Sequence, residues 1–154
     1  MKIKFLTYFF AFFMLSSCGF KVLKQERFFN IENLIVTGEK KISFALKNDL
    51  NIRPIKNNLP INLTIDAEKI INVKEKNEKN EITKYGITLR AEVEFYLVRE
   101  NEKKYSFIIE NRNEYSVANQ HSRTLENEKV TTNLLVEDLS KKILAKINTE
   151  INDL

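Results

Sequence analysis

Residues 85–97 read Tyr-Gly-Ile-Thr-Leu-Arg-Ala-Glu-Val-Glu-Phe-Tyr-Leu, the most regular pattern in the chain. Tyr85, Ile87, Leu89, Ala91, Val93, Phe95 and Leu97 fill the odd positions, and Thr88, Arg90, Glu92, Glu94 and Tyr96 fill the even ones. Successive side chains on a strand point to opposite faces, so this pattern predicts a long strand with one dry face and one charged face. Such a strand needs a cover for its dry side.

Working outward, Ile61, Leu63, Ile65, Ala67, Ile71 and Val73 share one parity, broken only by Lys69. That predicts a partner strand. Residues 74–81 (KEKNEKNE) hold no apolar member and read as a polar tip between the two. Arg99 to Lys104 (RENEKK) reads as a second tip, and Tyr105, Phe107 and Ile109 start another strand that turns polar through Asn111 to Glu114. Upstream, Asn30 to Thr37 (NIENLIVT) is rich in strand formers and ends at Gly38. Ile42, Leu46 and Leu50 then step by four, which predicts a helix over Glu39 to Leu50. Asn51 to Leu59 contains Pro54 and three asparagines and reads as a loop.

From about Ser122 the period becomes helical. Leu135, Leu139, Ile143, Ile147 and Ile151 step by four, widened by Val130, Val136 and Leu144. Glu126 and Glu128 early, and Lys141, Lys142 and Lys146 later, suit the helix dipole. Ser122 or Thr124 is the expected cap. The order is β-α-β-β-β-α. The expected fold is α+β, a two-layer sandwich: a four-stranded mixed sheet with two helices packed on one face. The first connection passes through a helix, so its two strands should be parallel neighbours, and the last three strands should form a meander.

The chain has 154 residues, 43% of them apolar and 30% charged, which suits one globular domain and excludes a disordered tail or a multi-span membrane protein. One cysteine leaves no internal disulfide, and one histidine leaves little for a metal cluster. Three glycines provide no phosphate-binding loop. The net charge of +4 looks basic, but 19 Lys, 18 Asn and 17 Ile point to an AT-rich coding bias that makes lysine common.

Lys2 and Lys4 precede the uncharged run Phe5 to Leu15 (FLTYFFAFFML), which is followed by Ser16, Ser17 and Cys18. Eleven residues are about half the ~20 a spanning helix needs, so this is an export signal over residues 1–17. Without Lys2 and Lys4 the basic residues fall to 23 against 21 acidic ones. Export and this near-neutral balance speak against a nucleic-acid partner. Leu15-Ser16-Ser17-Cys18 resembles the bacterial lipobox. That resemblance implies cleavage before Cys18 and acylation of Cys18, leaving residues 18–154 as a single lipid-anchored domain. Gly19 rather than Asp after the cysteine favours the outer membrane.

The lipobox with Cys18-Gly19-Phe20, the strand and helix over 30–50, the alternating strand ending in EFYLV, and Asn113-Glu114-Tyr115 leading into a helix with VEDLSKKILAKI together resemble the LPS-assembly lipoprotein family LptE. The chain departs from that family where Lys21-Val22-Leu23-Lys24 replaces a common His-Leu-Arg. The resemblance implies a non-enzymatic protein without cofactor beyond the covalent lipid. It would plug the lumen of an outer-membrane β-barrel, LptD, help that barrel fold, and help deliver lipopolysaccharide to the outer leaflet.

The partner-facing candidates are Arg90, Glu92, Glu94 and Tyr96, on the polar strand face with Thr88. A polar surface suits a polar barrel interior. For the phosphates of lipopolysaccharide the candidates are Lys76, Lys79 and Arg123, because a meander brings the tip at 74–81 and the turn at 116–124 to one end. Lys74, Lys84 and His121 would lie nearby. The plain alternative is solvated surface charge interleaved with Glu75, Glu78 and Glu81. Tyr85, Tyr96, Tyr105 and Tyr115 are either a contact surface or ordinary sheet packing. A catalytic triad would have to use His121, the single histidine. A second functional reading is a periplasm-facing lipoprotein that binds a small molecule or lipid without a barrel. An envelope enzyme is a third and weaker one.

Overall fold

The computed structural model describes residues 27–98 and 103–153. The signal at 1–17, Cys18 and most of the tip at 99–104 lie outside the described residues. The elements run β1 (Phe29–Gly38), α1 (Lys40–Leu50), β2 (Leu59–Lys76), β3 (Ile82–Leu97), β4 (Lys104–Ser116) and α2 (His121–Asn152). The sheet order is β1-β2-β3-β4, with β1 parallel to β2 and the other two pairs antiparallel. This is the expected α+β architecture, with both helices on one face.

The period-two reading of β3 holds from Ile87 to Leu97. Ile87, Leu89, Ala91, Val93, Phe95 and Leu97 are buried, while Glu92, Glu94 and Tyr96 are exposed. Their β2 partners Ile61, Leu63, Ile65 and Ala67 are buried beside them. Above this layer lie Ile42, Leu46 and Leu50 of α1 and Leu135, Leu139, Ile143, Ile147 and Ile151 of α2. Alpha-2 packs on β4, β3 and α1, and α1 on β1 and β2. Buried Asn148 of α2 accepts a hydrogen bond from the Phe28 backbone N–H at 3.0 Å, tying the start of the described chain to the end of the last helix.

Two backbone irregularities shape β1. The register slips between Ile31 and Asn33. A bulge inserts one residue and reverses parity, so Phe29 and Ile31 pack on the core from odd positions and Leu34 and Val36 from even ones. At the strand end Gly38 has φ +99°, and a Cβ there would collide with the Ala67 carbonyl oxygen. The glycine lets the chain turn tightly enough for the Glu39 N–H to bond that carbonyl at 3.1 Å.

The structure corrects the sequence reading in several places. Beta-2 runs on through Lys76 because an antiparallel ladder needs backbone groups, not apolar side chains, and only 77–81 forms the turn. Asn77 and Asn80 close it. The Asn77 side-chain oxygen accepts from Lys79 N at 3.0 Å and Glu81 N at 2.9 Å, and Asn80 takes φ +63°, which asparagine tolerates. Ile71 and Val73 keep the core parity but are exposed, because β1 ends at Gly38 opposite Ala67 and leaves this stretch of β2 at the sheet edge, while Ile87 beside Ile71 stays buried. Val130 is also exposed, off the flank of the stripe.

Neither Ser122 nor Thr124 caps α2. The capping position is Gln120, with no side-chain bond to the helix. Thr124 folds back, its Oγ1 accepting from the Ala118 N–H at 2.9 Å and so holding the β4–α2 connection instead. The helix starts early enough that Glu126 and Glu128 miss its first turn, and no basic residue falls in its last, so the dipole is uncompensated at both ends. The tyrosines divide. Tyr85 stacks on Tyr115 at 5.5 Å and Tyr105 on Phe95 at 4.9 Å as layer packing, and Tyr96 alone stands on the outer face.

Candidate functional site

The sheet face away from the helices is open. The β3 pleat puts Thr88, Arg90, Glu92, Glu94 and Tyr96 on it, and the register sets Thr64, Asp66 and Glu68 of β2 and Ser106, Ile108 and Glu110 of β4 beside them. Arg90 is the hub. Its guanidinium reaches Glu92 along its own strand at 2.6 Å and Glu110 across the β3–β4 pair at 3.7 Å, and Glu110 also holds Arg112 at 2.7 Å. Nearer the other end Lys104 bridges Glu94 at 2.8 Å. Thr37 donates to Asp66 at 3.0 Å and Asn33 to Asn62 at 2.9 Å, carrying the polar lattice to β1. Exposed Ile35, Ile70, Ile108 and Tyr96 stand among these groups.

Such a face carries both charge signs, with the carboxylates of Asp66, Glu68, Glu92, Glu94 and Glu110 outnumbering the cations of Arg90, Lys104 and Arg112. Exposed pairs of this kind contribute little to stability, about 0–1 kcal/mol each. Charges of both signs spread over three strands suit contact with another polar wall better than capture of a single ion. The four partner-facing candidates Arg90, Glu92, Glu94 and Tyr96 are brought together here. Two hollows open on the same face. One of about 240 Å³ lies over Gly86, where the missing side chain is partly filled by Lys74 and which Arg112 and Glu114 also line. The other, about 220 Å³, lies between Ile35, Thr64 and Tyr96. Both are smaller than the ~300–1,000 Å³ of a usual ligand pocket.

Lys76, Lys79 and Arg123 fall at one end of the sheet, as the meander requires. Lys84 pairs with Ser116, and the Val117 N–H bonds Thr83 O at 2.9 Å, so the 77–81 turn and the start of α2 share that end. Lys76 Nζ donates to Asn80 Oδ1 at 3.0 Å within its own turn, and Lys79 and Arg123 are exposed. Lys84 is engaged elsewhere. It bridges Glu75 at 3.0 Å, and hydrogen bonding and charge in that pair hold the Lys84 ammonium above its ordinary pKa and the Glu75 carboxyl below. His121 is the exposed first residue of α2, and among the described residues no three His, Cys, Asp or Glu side chains gather as a metal site.

Sequence reasoning missed a polar cluster between the layers. Lys69 Nζ lies 2.9 Å from Glu128 Oε1, and the Tyr115 hydroxyl lies 3.4 Å from Glu128 Oε2. Burial, then the Glu128 charge, pushes the Tyr115 phenol up to about 12. Farther along, Asn111 of β4 is buried, donates to Asp138 at 2.8 Å and accepts from Lys142 at 2.5 Å. Both clusters join α2 to the sheet. The signal for the first was the one parity break at Lys69; nothing in the sequence pointed to its partner.

Solved structures similar to this fold include rare lipoprotein B from Shewanella oneidensis, with a TM-score of 0.58 and 13% identity over 80% of this chain and 98% of that one. An uncharacterized lipoprotein B from Nitrosomonas europaea gives 0.56 and 12%, over 87% and 93%. A putative lipoprotein from Caulobacter crescentus CB15 gives 0.51 and 8%, over 78% and 90%. At these identities the likeness is one of fold. No protein-family model matches the chain, and none of the curated proteins compared with it matches.

Proposed function

We propose that the chain is an outer-membrane lipoprotein, acylated at Cys18, that serves as the non-enzymatic partner of an LptD-like β-barrel in lipopolysaccharide export. It faces the periplasm and occupies the barrel lumen. The observation that carries this reading is the open sheet face. A four-stranded sheet with one side filled by helices leaves the other as a broad polar surface of mixed charge centred on Arg90. Barrel interiors are polar, and a plug needs a surface of that kind. The lipobox at the N-terminus and a fold shared with proteins named as lipoproteins support the same reading.

No step of chemistry is assigned to the protein, and no cofactor beyond the lipid on Cys18. Its role is to hold a shape inside the barrel and to offer cations at one end. Lys76, Lys79 and Arg123 are the groups proposed to meet the phosphates of lipopolysaccharide. The test is a photo-reactive amino acid placed at Glu92 in living cells. The expected product on illumination is an adduct with one large outer-membrane barrel. Adducts only between copies of the chain, or with lipid alone, would contradict the reading.

A further inference from the structure

The end of the sheet opposite the Lys76 turn carries a loop pinned by its neighbours. Residues 51–57 are all exposed, and the backbone here is held by polar side chains of Arg27, Asn30 and Asn58. Asn30 donates to the Ile55 carbonyl at 2.7 Å and accepts from the Ile55 N–H at 2.8 Å. Arg27 donates to the Arg53 carbonyl at 2.6 Å, and Asn58 donates to the Arg27 carbonyl at 2.5 Å. Held in this way, the loop leaves Ile52 and Ile55 39% and 48% exposed, beside Phe28 and Leu59 at 42% and 39%. Arg53 and Lys56 are exposed among them, and no acidic residue occurs from Leu50 to Ile65.

The geometry points to this loop as a membrane-contacting surface, with Ile52, Ile55, Phe28 and Leu59 entering the headgroup boundary of a phospholipid leaflet and Arg53 and Lys56 meeting anionic headgroups. The inference rests on the proposed anchoring at Cys18. Phe28 lies ten positions after Cys18, and at about 3.3–3.6 Å per residue that stretch reaches no more than about 36 Å. The tether also ends on the loop itself, since Arg27 bonds Arg53. An acylated Cys18 therefore keeps this patch within reach of the bilayer, while the Lys76 turn lies at the far end of the sheet. Apolar side chains interleaved with cations and free of acids are the composition that binds an anionic interface.

The test uses the full acylated chain carrying a single added thiol, Ile55→Cys or, at the far turn, Glu78→Cys. Each is labelled with an environment-sensitive fluorophore and reconstituted into vesicles of phosphatidylethanolamine and phosphatidylglycerol. Both substituted side chains are exposed, and Ile55 makes its hydrogen bonds through the backbone, so the fold should persist. The label at 55 should shift to the blue and be quenched by spin-labelled acyl chains, and the label at 78 should do neither. Equal solvent exposure of the two labels, in chains that float with the vesicles, would overturn this inference and leave the anchoring intact. A chain without added thiol that takes up label at Cys18 and fails to float would overturn the anchoring, and the inference with it. A shift at 55 that appears only when an outer-membrane barrel is added would assign the loop to protein contact and overturn the membrane surface.

Discussion

Lys69 of β2 and Glu128 of α2 meet between the sheet and the helix, Nζ to Oε1 at 2.9 Å, with side chains only 15% and 24% exposed. The pair fastens the N-terminal half of α2, where the apolar stripe has not yet begun: the first buried helix residue is Thr131. Removing one charge strands the other. We expect Glu128→Gln or Lys69→Met alone to destabilise the protein by about 1–3 kcal/mol. The double variant Lys69→Met with Glu128→Leu should recover part of that loss, because neither charge is left unpaired. Urea midpoints read this directly, and single variants indistinguishable from the parent would show a solvent-screened pair.

The same cluster gives the alkaline limit. The Tyr115 phenol titrates at about 12 in the fold, raised first by burial and then by Glu128, and near 10 when unfolded. The unfolded chain therefore loses this proton first, and stability falls with pH between about 10 and 12. Tyr115→Phe removes that contribution. Its urea midpoint should decline less steeply over this range than the parent's, with the lysines common to both proteins cancelling in the comparison. Parallel declines would contradict the assignment.

Gly38 predicts a backbone effect. With φ +99° and the Ala67 carbonyl against its α-carbon, Gly38→Ala should cost about 2 kcal/mol or more through strain and displacement of the β1–β2 pair. Thermal denaturation measures it. A variant as stable as the parent would mean that the turn relaxes freely.

The proposed lipopolysaccharide contacts predict a charge dependence. Reversing Lys76, Lys79 and Arg123 together to glutamate should weaken lipopolysaccharide binding by the detergent-solubilised chain about tenfold or more, with the melting temperature little changed. Binding that matches the parent's would return these residues to ordinary surface charge.

Which parts of this were legible in the sequence follows from how each is encoded. Beta-3 was readable because its environment alternates from Ile87 to Leu97, and α2 because its buried positions step regularly by four from Leu135 to Ile151. Local period carries that information. The exposure of Ile71 and Val73 was not readable, since it depends on where β1 stops pairing with β2. The β1 bulge hid the alternation of that strand by reversing its parity midway. At the candidate site, the open face around Arg90 followed from the pleat, but the pairing of Arg90 with Glu110 needed the register. Lys69 stood out as a parity break, whereas Glu128 lies 59 residues away and nothing local marks it. The exposed loop at 51–57 read only as a loop, because its shape rests on Asn30 and Arg27 reaching it from β1 and the residues before it.

Partnership with a barrel is read from a tagged pull-down out of detergent-solubilised envelopes. Recovery of one large outer-membrane β-barrel protein in near-equal amount, identified by mass spectrometry, is expected. Recovery of the lipoprotein alone, from cells making normal amounts of such a barrel, would rule the partnership out and leave a lipid-anchored carrier as the better description.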